Sequence, residues 1–367
     1  MLYIDSLLPN QTYKFKVVLT NNPQPTTYPQ PPTSNEVSVT TMDTTSHEFS
    51  WQSWEFGGDC GSSSLYDVAI IDENNIWAVG EIYLRDSLGN CDPNAYNAVH
   101  WDGTKWELKR IEFYTFCPQG TGSGYYPTRS VFALDDENIV ISSGSQLAYL
   151  RNEVQIKREC IPVSVNKLWG SSSSDLYAVG NNGNIAHWDG VRWRKIESGT
   201  DLAIRDIWGD FDEETNSYEI LAIAAEIDIN KGSKILRINK NFTAEENNRG
   251  LSWQVGGIWF KPKRKYYVAG AGVHYKHLLS DSAWYRNLPG IITNYVGFAI
   301  RGNNTNDVFA AGAFLEIAHY NGVSWRNYLN EISSSSGAIG RVATKENIIA
   351  AVGGEGRNAL IIIGKRQ

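Results

Sequence analysis

Short apolar runs of strand length, each closed by glycine or by an Asp-Gly or Asn-Gly pair, recur from about residue 47 to the end of the chain. The runs are copies of one another. VNKLWG (165–170) matches IRDIWG (204–209). NNIWAVG (74–80), SDLYAVG (174–180), KYYVAG (265–270), NDVFAAG (306–312) and NIIAAVG (347–353) form a second set. NAVHWDGTKW (97–106), NIAHWDGVRW (184–193) and EIAHYNGVSW (316–325) form a third. Self-similarity at a fixed period of about 40 residues marks a repeat architecture.

Each unit predicts four short strands. Strand a ends in Leu-Trp-Gly or its equivalent, strand b in Ala-Val-Gly. Strand c carries Ala-His-Trp, and strand d begins at a late tryptophan. Between c and d lie Asp102-Gly103, Asp189-Gly190 and Asn321-Gly322, which read as type I′ hairpin turns with positive φ at both central residues. From Gly180 to Trp193 and from Gly312 to Trp325 the spacing is 13 residues; from Gly80 to Trp106 it is 26, which implies an insertion.

The end of strand b falls at Gly80, Gly144, Gly180, Ala225, Gly270, Gly312 and Gly353, in steps of 64, 36, 45, 45, 42 and 41 residues. Seven units of four strands describe an all-β protein, a seven-bladed β-propeller. A diverged fourth unit with an acidic insert (210–217) and a short junction from Trp253 to Trp259 leave six or eight blades open. The last unit supplies only three strands. Its missing late-tryptophan strand occurs at FSWQSWEF (49–56), ahead of unit 1. The expectation is that this N-terminal strand closes the ring and removes two sheet edges that would otherwise invite aggregation.

Composition agrees with this reading. Thirteen Trp, 33 Gly and only two Met fit strands joined by tight turns. Charged residues at 20 % and hydrophobic residues at 42 % exclude a disordered chain and a coiled coil. With 33 basic and 40 acidic residues among 367, the formal charge of −7 argues against a nucleic-acid partner. No apolar run approaches the ~20 residues of a membrane-spanning helix, and the N-terminal stretch lacks the basic and apolar regions of a signal peptide.

Ahead of the repeats, Leu7, Pro9 and Tyr13 are followed by alternating Phe15 and Val17, a Pro/Thr-rich stretch, and SNEVSVTT (34–41). Residues 1–43 resemble the last strands of a fibronectin type III domain, with Tyr13 at the place of its tyrosine corner. The resemblance implies domain bounds of 1–43 for a partial fibronectin segment, 44–46 for a linker and 47–367 for the propeller. It also implies that the rest of the module, and a signal peptide, lie upstream.

The repeats themselves resemble tandem propeller repeats of secreted and cell-surface bacterial proteins. The His/Tyr-Trp/Tyr-Asp/Asn-Gly-x-x-Trp hairpin is similar in placement to the Asp-box of sialidase-type propellers. It lacks the leading Ser/Thr, and its Asp and Gly are adjacent. The resemblance therefore implies architecture rather than sialidase activity.

His100, His187 and His319 share one repeat position and read as strand c hydrogen-bond partners; His274 and His277 have no third metal ligand near in sequence. No G-x-S-x-G and no P-loop is present. Asp210-Phe211-Asp212 reads as a solvated acidic loop. No cofactor and no metal is expected.

Cys60, Cys117 and Cys160 fall in d-to-a loops and Cys91 in a b-to-c insert, all on one face. They suggest two disulfides. Three connectivities are possible, and loop adjacency favours Cys60–Cys91 with Cys117–Cys160.

The same face carries the irregular loops 83–96 and 113–126. The second contributes Tyr114, Phe116, Tyr125 and Tyr126, aromatics that no blade core requires. Arg129, Arg205 and Arg341 begin strands a of units 2, 4 and 7 and could form an anion-binding set at the channel mouth. These seven residues are the candidate ligand site. The expected function is non-catalytic binding of a glycan or protein outside or at the surface of the cell, by a monomeric propeller within a longer secreted chain. A glycan-active propeller enzyme, with Asp67 as a candidate acid, and a purely architectural module are the alternatives.

Overall fold

The computed structural model describes residues 4, 7–18, 34–226, 232–252, 254–332 and 336–367. Seven four-stranded antiparallel sheets are arranged as blades around a central channel, and one two-stranded sheet lies ahead of them. Blades 1 to 6 span 64–109, 130–160, 167–196, 204–246, 257–287 and 297–327. Within each the strand order is a-b-c-d, with the a strands of successive blades adjacent around the axis. The count of seven removes the six- and eight-blade alternatives.

Blade 7 takes strands a to c from Ala338–Lys345, Ile348–Glu355 and Asn358–Arg366, and strand d from Phe49–Gly57. The closing strand pairs along its whole length, from Phe49 opposite Arg366 to Gly57 opposite Asn358. Phe49 and Trp51 face the core between blades 6 and 7, while Trp54 and Phe56 face that between blades 7 and 1. The strand thus fills cores on both sides of the joint.

The repeat signatures have physical causes. The glycine ending strand b backs onto the carbonyl of the residue leading into strand a. A Cβ at Gly80, Gly180, Gly312 or Gly353 would stand 2.0, 1.8, 2.0 or 1.9 Å from that oxygen. In strand c, His100, His187 and His319 each stack on the aromatic residue directly opposite in strand b (Trp77, Tyr177 and Phe309) at centroid distances of 4.5, 4.4 and 4.4 Å. Their Nε2 atoms bond the side chains of Asn75, Asp175 and Asp307 at 3.0, 2.7 and 2.9 Å. Each histidine thus holds a partner within its own blade, as the shared position suggests, while Nδ1 of His100 reaches Glu153 of blade 2 at 3.2 Å and Nδ1 of His319 reaches His47 at 2.9 Å.

The c-to-d turns differ from the type I′ expectation. Gly103, Gly190 and Gly322 have positive φ, but the Asp or Asn before each does not. The strands stay bonded out to Asp102 with Lys105, Asp189 with Arg192 and Asn321 with Ser324, so glycine is the first of the two central residues, and positive φ there alone is the type II′ pattern. The carboxylate or amide oxygen explains it: Oδ1 of Asp102, Asp189 and Asn321 accepts backbone N–H groups two and three residues on. The side chain caps the turn from outside, and only glycine takes the left-handed position.

Two further corrections concern blades 2 and 4. Cys160 is the last residue of strand d, Val154–Cys160, and not part of a loop. Strand d of blade 4 is Thr243–Glu246, so the late tryptophan does not mark it; Trp253 lies outside the described residues.

Ahead of the ring, Thr12–Phe15 pairs antiparallel with Val37–Thr40. The Tyr13 hydroxyl accepts the Leu8 N–H at 2.8 Å. Thr45 and Asp43 bond Asn321 and Asn306 of blade 6, on the face of the a-to-b and c-to-d turns. The opposite face carries the d-to-a and b-to-c loops and is the loop face.

Candidate functional site

Strand a of each blade starts on the loop face, so residues at its start ring the channel mouth. Arg129 immediately precedes strand a of blade 2, Ser130–Ala133. Arg205 is second in that of blade 4, Ile204–Asp212, and Arg341 fourth in that of blade 7. The three arginines line one cavity of about 510 Å³, together with Ser62–Tyr66, Asn166, Ala338, Gly340, Gly353, Gly354 and Gly356. The arginine set predicted from sequence is therefore brought together.

Their environments differ. The Arg205 guanidinium donates to the Ala225 carbonyl at 2.9 Å and pairs with Glu226 at 3.4 Å. Arg341 donates to the carbonyls of Gly340 at 2.9 Å and Arg205 at 2.5 Å, while its buried Nε–H has no partner among the described residues. Arg129 is exposed and lies over the Tyr66 ring, 4.1 Å from its centroid. Neither Arg129 nor Arg341 has a carboxylate within 4.0 Å among the described residues. On a chain of charge −7 this is a local cationic spot.

Tyr66, which sequence reasoning passed over, completes the mouth. Its hydroxyl donates to Glu81, whose other oxygen accepts from Tyr83 at 2.8 Å. Burial and the Glu81 carboxylate push the Tyr66 phenol up to about 12. The only sequence signal was its place two residues into strand a of blade 1, Ser64–Asp72.

Asp67 does not join the mouth. It lies deeper in the channel wall, 1 % exposed, and accepts the Lys167 ammonium at 2.5 and 2.7 Å, the Ser130 hydroxyl at 2.6 Å and the Val131 N–H at 3.0 Å. The candidate acid is thus a brace between blades 1, 2 and 3. Asp206 plays the same part for blades 4, 5 and 6, binding Arg301 and the Ile258 N–H.

The aromatic loop is elsewhere. Phe116 and Tyr125 are exposed. Tyr114 lies under Arg158 at 4.4 Å, with its backbone pinned on both sides by the Gln146 amide. Tyr126 packs against the core between blades 1 and 2 and donates to Thr115 at 3.0 Å. Its fold role corrects the expectation that no blade core uses the loop; Phe113, fully buried in the same core, extends the correction. None of the four aromatics lines the mouth. The loop is held at the outer edge by Cys117–Cys160, and the 83–96 insert by Cys60–Cys91, with Cα–Cα distances of 5.7 and 5.4 Å. These are the favoured pairings.

Asp210 and Asp212 sit on the other face and pair with Lys261 and Lys263, both at 3.0 Å. His274 bonds Ser252 at 2.7 Å. No group of three or more His, Cys, Asp or Glu side chains among the described residues could hold a metal ion.

No protein-family model matches the chain, and no curated protein sequence matches it. Solved structures do. YCF48 bound to D1 peptide superposes with a TM-score of 0.60 at 14 % identity, covering 86 % of this chain and 97 % of that one. The WD40 β-propeller domain of Doa1 gives 0.56 at 12 %, covering 86 % and 97 %. YCF48 from Cyanidioschyzon merolae gives 0.54 at 12 %, covering 86 % and 98 %. At such identities the likeness establishes the seven-bladed fold and leaves function to the site.

Proposed function

We propose that this chain is a non-catalytic binding scaffold, acting outside the cell or at its surface, and that an anionic group of a protein or glycan partner binds at the channel mouth. The observation that carries the reading is the convergence of Arg129, Arg205 and Arg341 on one cavity, two of them without a carboxylate partner among the described residues. Guanidinium groups bind carboxylates through charge-assisted hydrogen bonds. One similar propeller is a complex with a peptide, which supports a protein partner. Two disulfides support an oxidising compartment. The antiparallel pair Thr12–Phe15 and Val37–Thr40, with the Tyr13 hydroxyl bonded back to Leu8, supports the fibronectin-like reading of 1–43, the linker at 44–46 and the propeller from 47. The exposed pair Phe116 and Tyr125 is a secondary contact surface on the same face.

The test is a peptide and glycan array probed with the purified chain and with Arg129→Ala and Arg341→Lys variants. Ligands should carry a negative charge, and both variants should bind them at least about tenfold more weakly, as for loss of a charge-assisted bond. Retention by Arg129→Ala with loss on altering Phe116 and Tyr125 would move the site to the aromatic loop.

One contact favours a second reading, hydrolysis of an anionic glycan. The Tyr66–Glu81 hydrogen bond beside Arg129 is the pairing that a tyrosine nucleophile requires. With its phenol raised to about 12, Tyr66 would depend on Glu81 to take its proton. Release of a fluorophore from a sialoside, lost in Tyr66→Phe and Glu81→Gln, would establish the enzyme; no release alongside binding supports the scaffold.

A further inference from the structure

Next to the mouth, on blade 6, the b-to-c loop holds two consecutive non-glycine residues in the left-handed region, Phe314 (φ 59) and Leu315 (φ 58). A bulky residue there is an outlier that surrounding structure must impose. The restraints are visible. Ala313 forms a bridge with Ala338, and the Phe314 N–H bonds the Gly337 carbonyl at 2.8 Å. Leu315 is buried at 1 %, while Glu316, equally buried, accepts the N–H groups of Asn294 at 2.6 Å and Tyr295 at 3.0 Å from the d-to-a loop leading into the blade. The outcome is that Phe314 is turned outward, 45 % exposed, with its ring 4.2 Å from that of Tyr295, itself 37 % exposed. A strained backbone that buries leucine and displays phenylalanine is costly for folding alone.

The place of this pair matters. Ala338, the bridge partner of Ala313, lines the arginine cavity, and the wall beside it is Gly340, Gly353 and Gly354. From the aromatic pair to the cationic mouth the surface therefore offers backbone and little side chain, as an extended main chain needs for close approach.

We propose that Tyr295 and Phe314 form an apolar docking point for a peptide segment whose free carboxylate enters the Arg129–Arg205–Arg341 mouth, with a large aliphatic or aromatic side chain of that segment seated on the ring pair. The inference rests on the mouth being an anion site. Charge complementarity selects the carboxylate end. The tilted ring pair, with 41° between planes, offers an apolar notch to a side chain and no flat platform to a sugar.

The experiment uses the purified chain, three fluorescein-labelled octapeptides and a fluorescein-labelled tri-galacturonate in anisotropy titrations. One has a free C-terminal carboxylate and a leucine three residues before it. The second has serine in place of leucine, and the third is the first with an amidated end. The wild-type chain should bind the leucine peptide about tenfold more tightly than the serine peptide, as expected for burying one aliphatic side chain. The Tyr295→Ser/Phe314→Ser variant should lose that preference while still discriminating carboxylate from amide. Phe314→Gly, which relieves the left-handed strain while removing the ring, should melt no lower than wild type yet weaken the leucine peptide alone. A leucine preference absent in wild type, or unchanged in the double variant, overturns the docking point and leaves the mouth intact. Equal binding of the carboxylate and amide peptides overturns the mouth. Binding of a tri-galacturonate but of none of the peptides overturns the peptide ligand in favour of a glycan.

Discussion

Asp206 in blade 4 and Arg301 in blade 6 grip each other across blade 5, with Oδ1 accepting from Nη2 and Oδ2 from Nη1, both at 2.7 Å. Asp67 and Lys167 do the same from blade 1 to blade 3. In each case the aspartate also accepts a backbone N–H from strand a of the blade between, at Ile258 or Val131. Burial alone would raise the Asp206 carboxyl, but the attraction and hydrogen bonds of Arg301 outweigh it and hold the group below the usual carboxylate range. Both braces span three blades around the axis.

Asp206→Leu should therefore destabilise the ring by about 3–5 kcal/mol, because it strands a buried guanidinium. The double variant Asp206→Leu/Arg301→Met should lie closer to wild type than either single change. Urea unfolding of the four proteins in a double-mutant cycle checks this, and additive costs would show that the pair is not coupled.

Removing residues 47–57 should leave blade 7 with three strands and expose the edge of Asn358–Arg366. The expected outcome is loss of a single cooperative melting transition and concentration-dependent aggregation. Calorimetry and light scattering read both, and an unchanged transition would refute closure by this strand.

Cys60–Cys91 and Cys117–Cys160 close loops of 31 and 43 residues. Each should contribute about 3–4 kcal/mol in the chain-entropy picture. Intact mass before and after reduction with alkylation should show two bonds, and the melting temperature should fall on reduction.

His274 is fully buried against Ser252, and burial pushes its imidazole down to about 4. The unfolded chain binds that proton near 6.5, so the neutral form stabilises the fold above pH 6.5, and the contribution is lost as pH falls from 6.5 toward 4. The loss amounts to up to about 3 kcal/mol. Melting curves at pH 7.5 and 5 should show a smaller acid shift in His274→Gln; a residual shift is expected from His100 and His319, also lowered chiefly by burial.

The architecture was legible because its rules are local and repeated. A glycine where no Cβ fits, an aspartate capping a turn and a histidine stacked on its cross-strand neighbour each leave the same letters in several blades. The arginine site could be located too, since the start of strand a always faces the mouth. Tyr66, Phe314 and Tyr295 could not: each occurs in one blade only, and nothing in a single sequence marks a residue at positive φ that is neither glycine nor asparagine. The role of Asp67 is hidden for a related reason. Its partners Lys167 and Ser130 sit in other blades, and only the closed ring brings them within reach.

The closing strand also sets a timetable. Phe49–Gly57 leaves the ribosome about 300 residues before Asn358–Arg366, its partner, a wait of ~15–60 s at usual elongation rates. Through that interval Trp51, Trp54 and Phe56 stand on an unpaired ribbon at one end of a growing arc. A chaperone or exporter that meets this chain during synthesis has one segment to shield, and it is the one synthesised first among the blade strands.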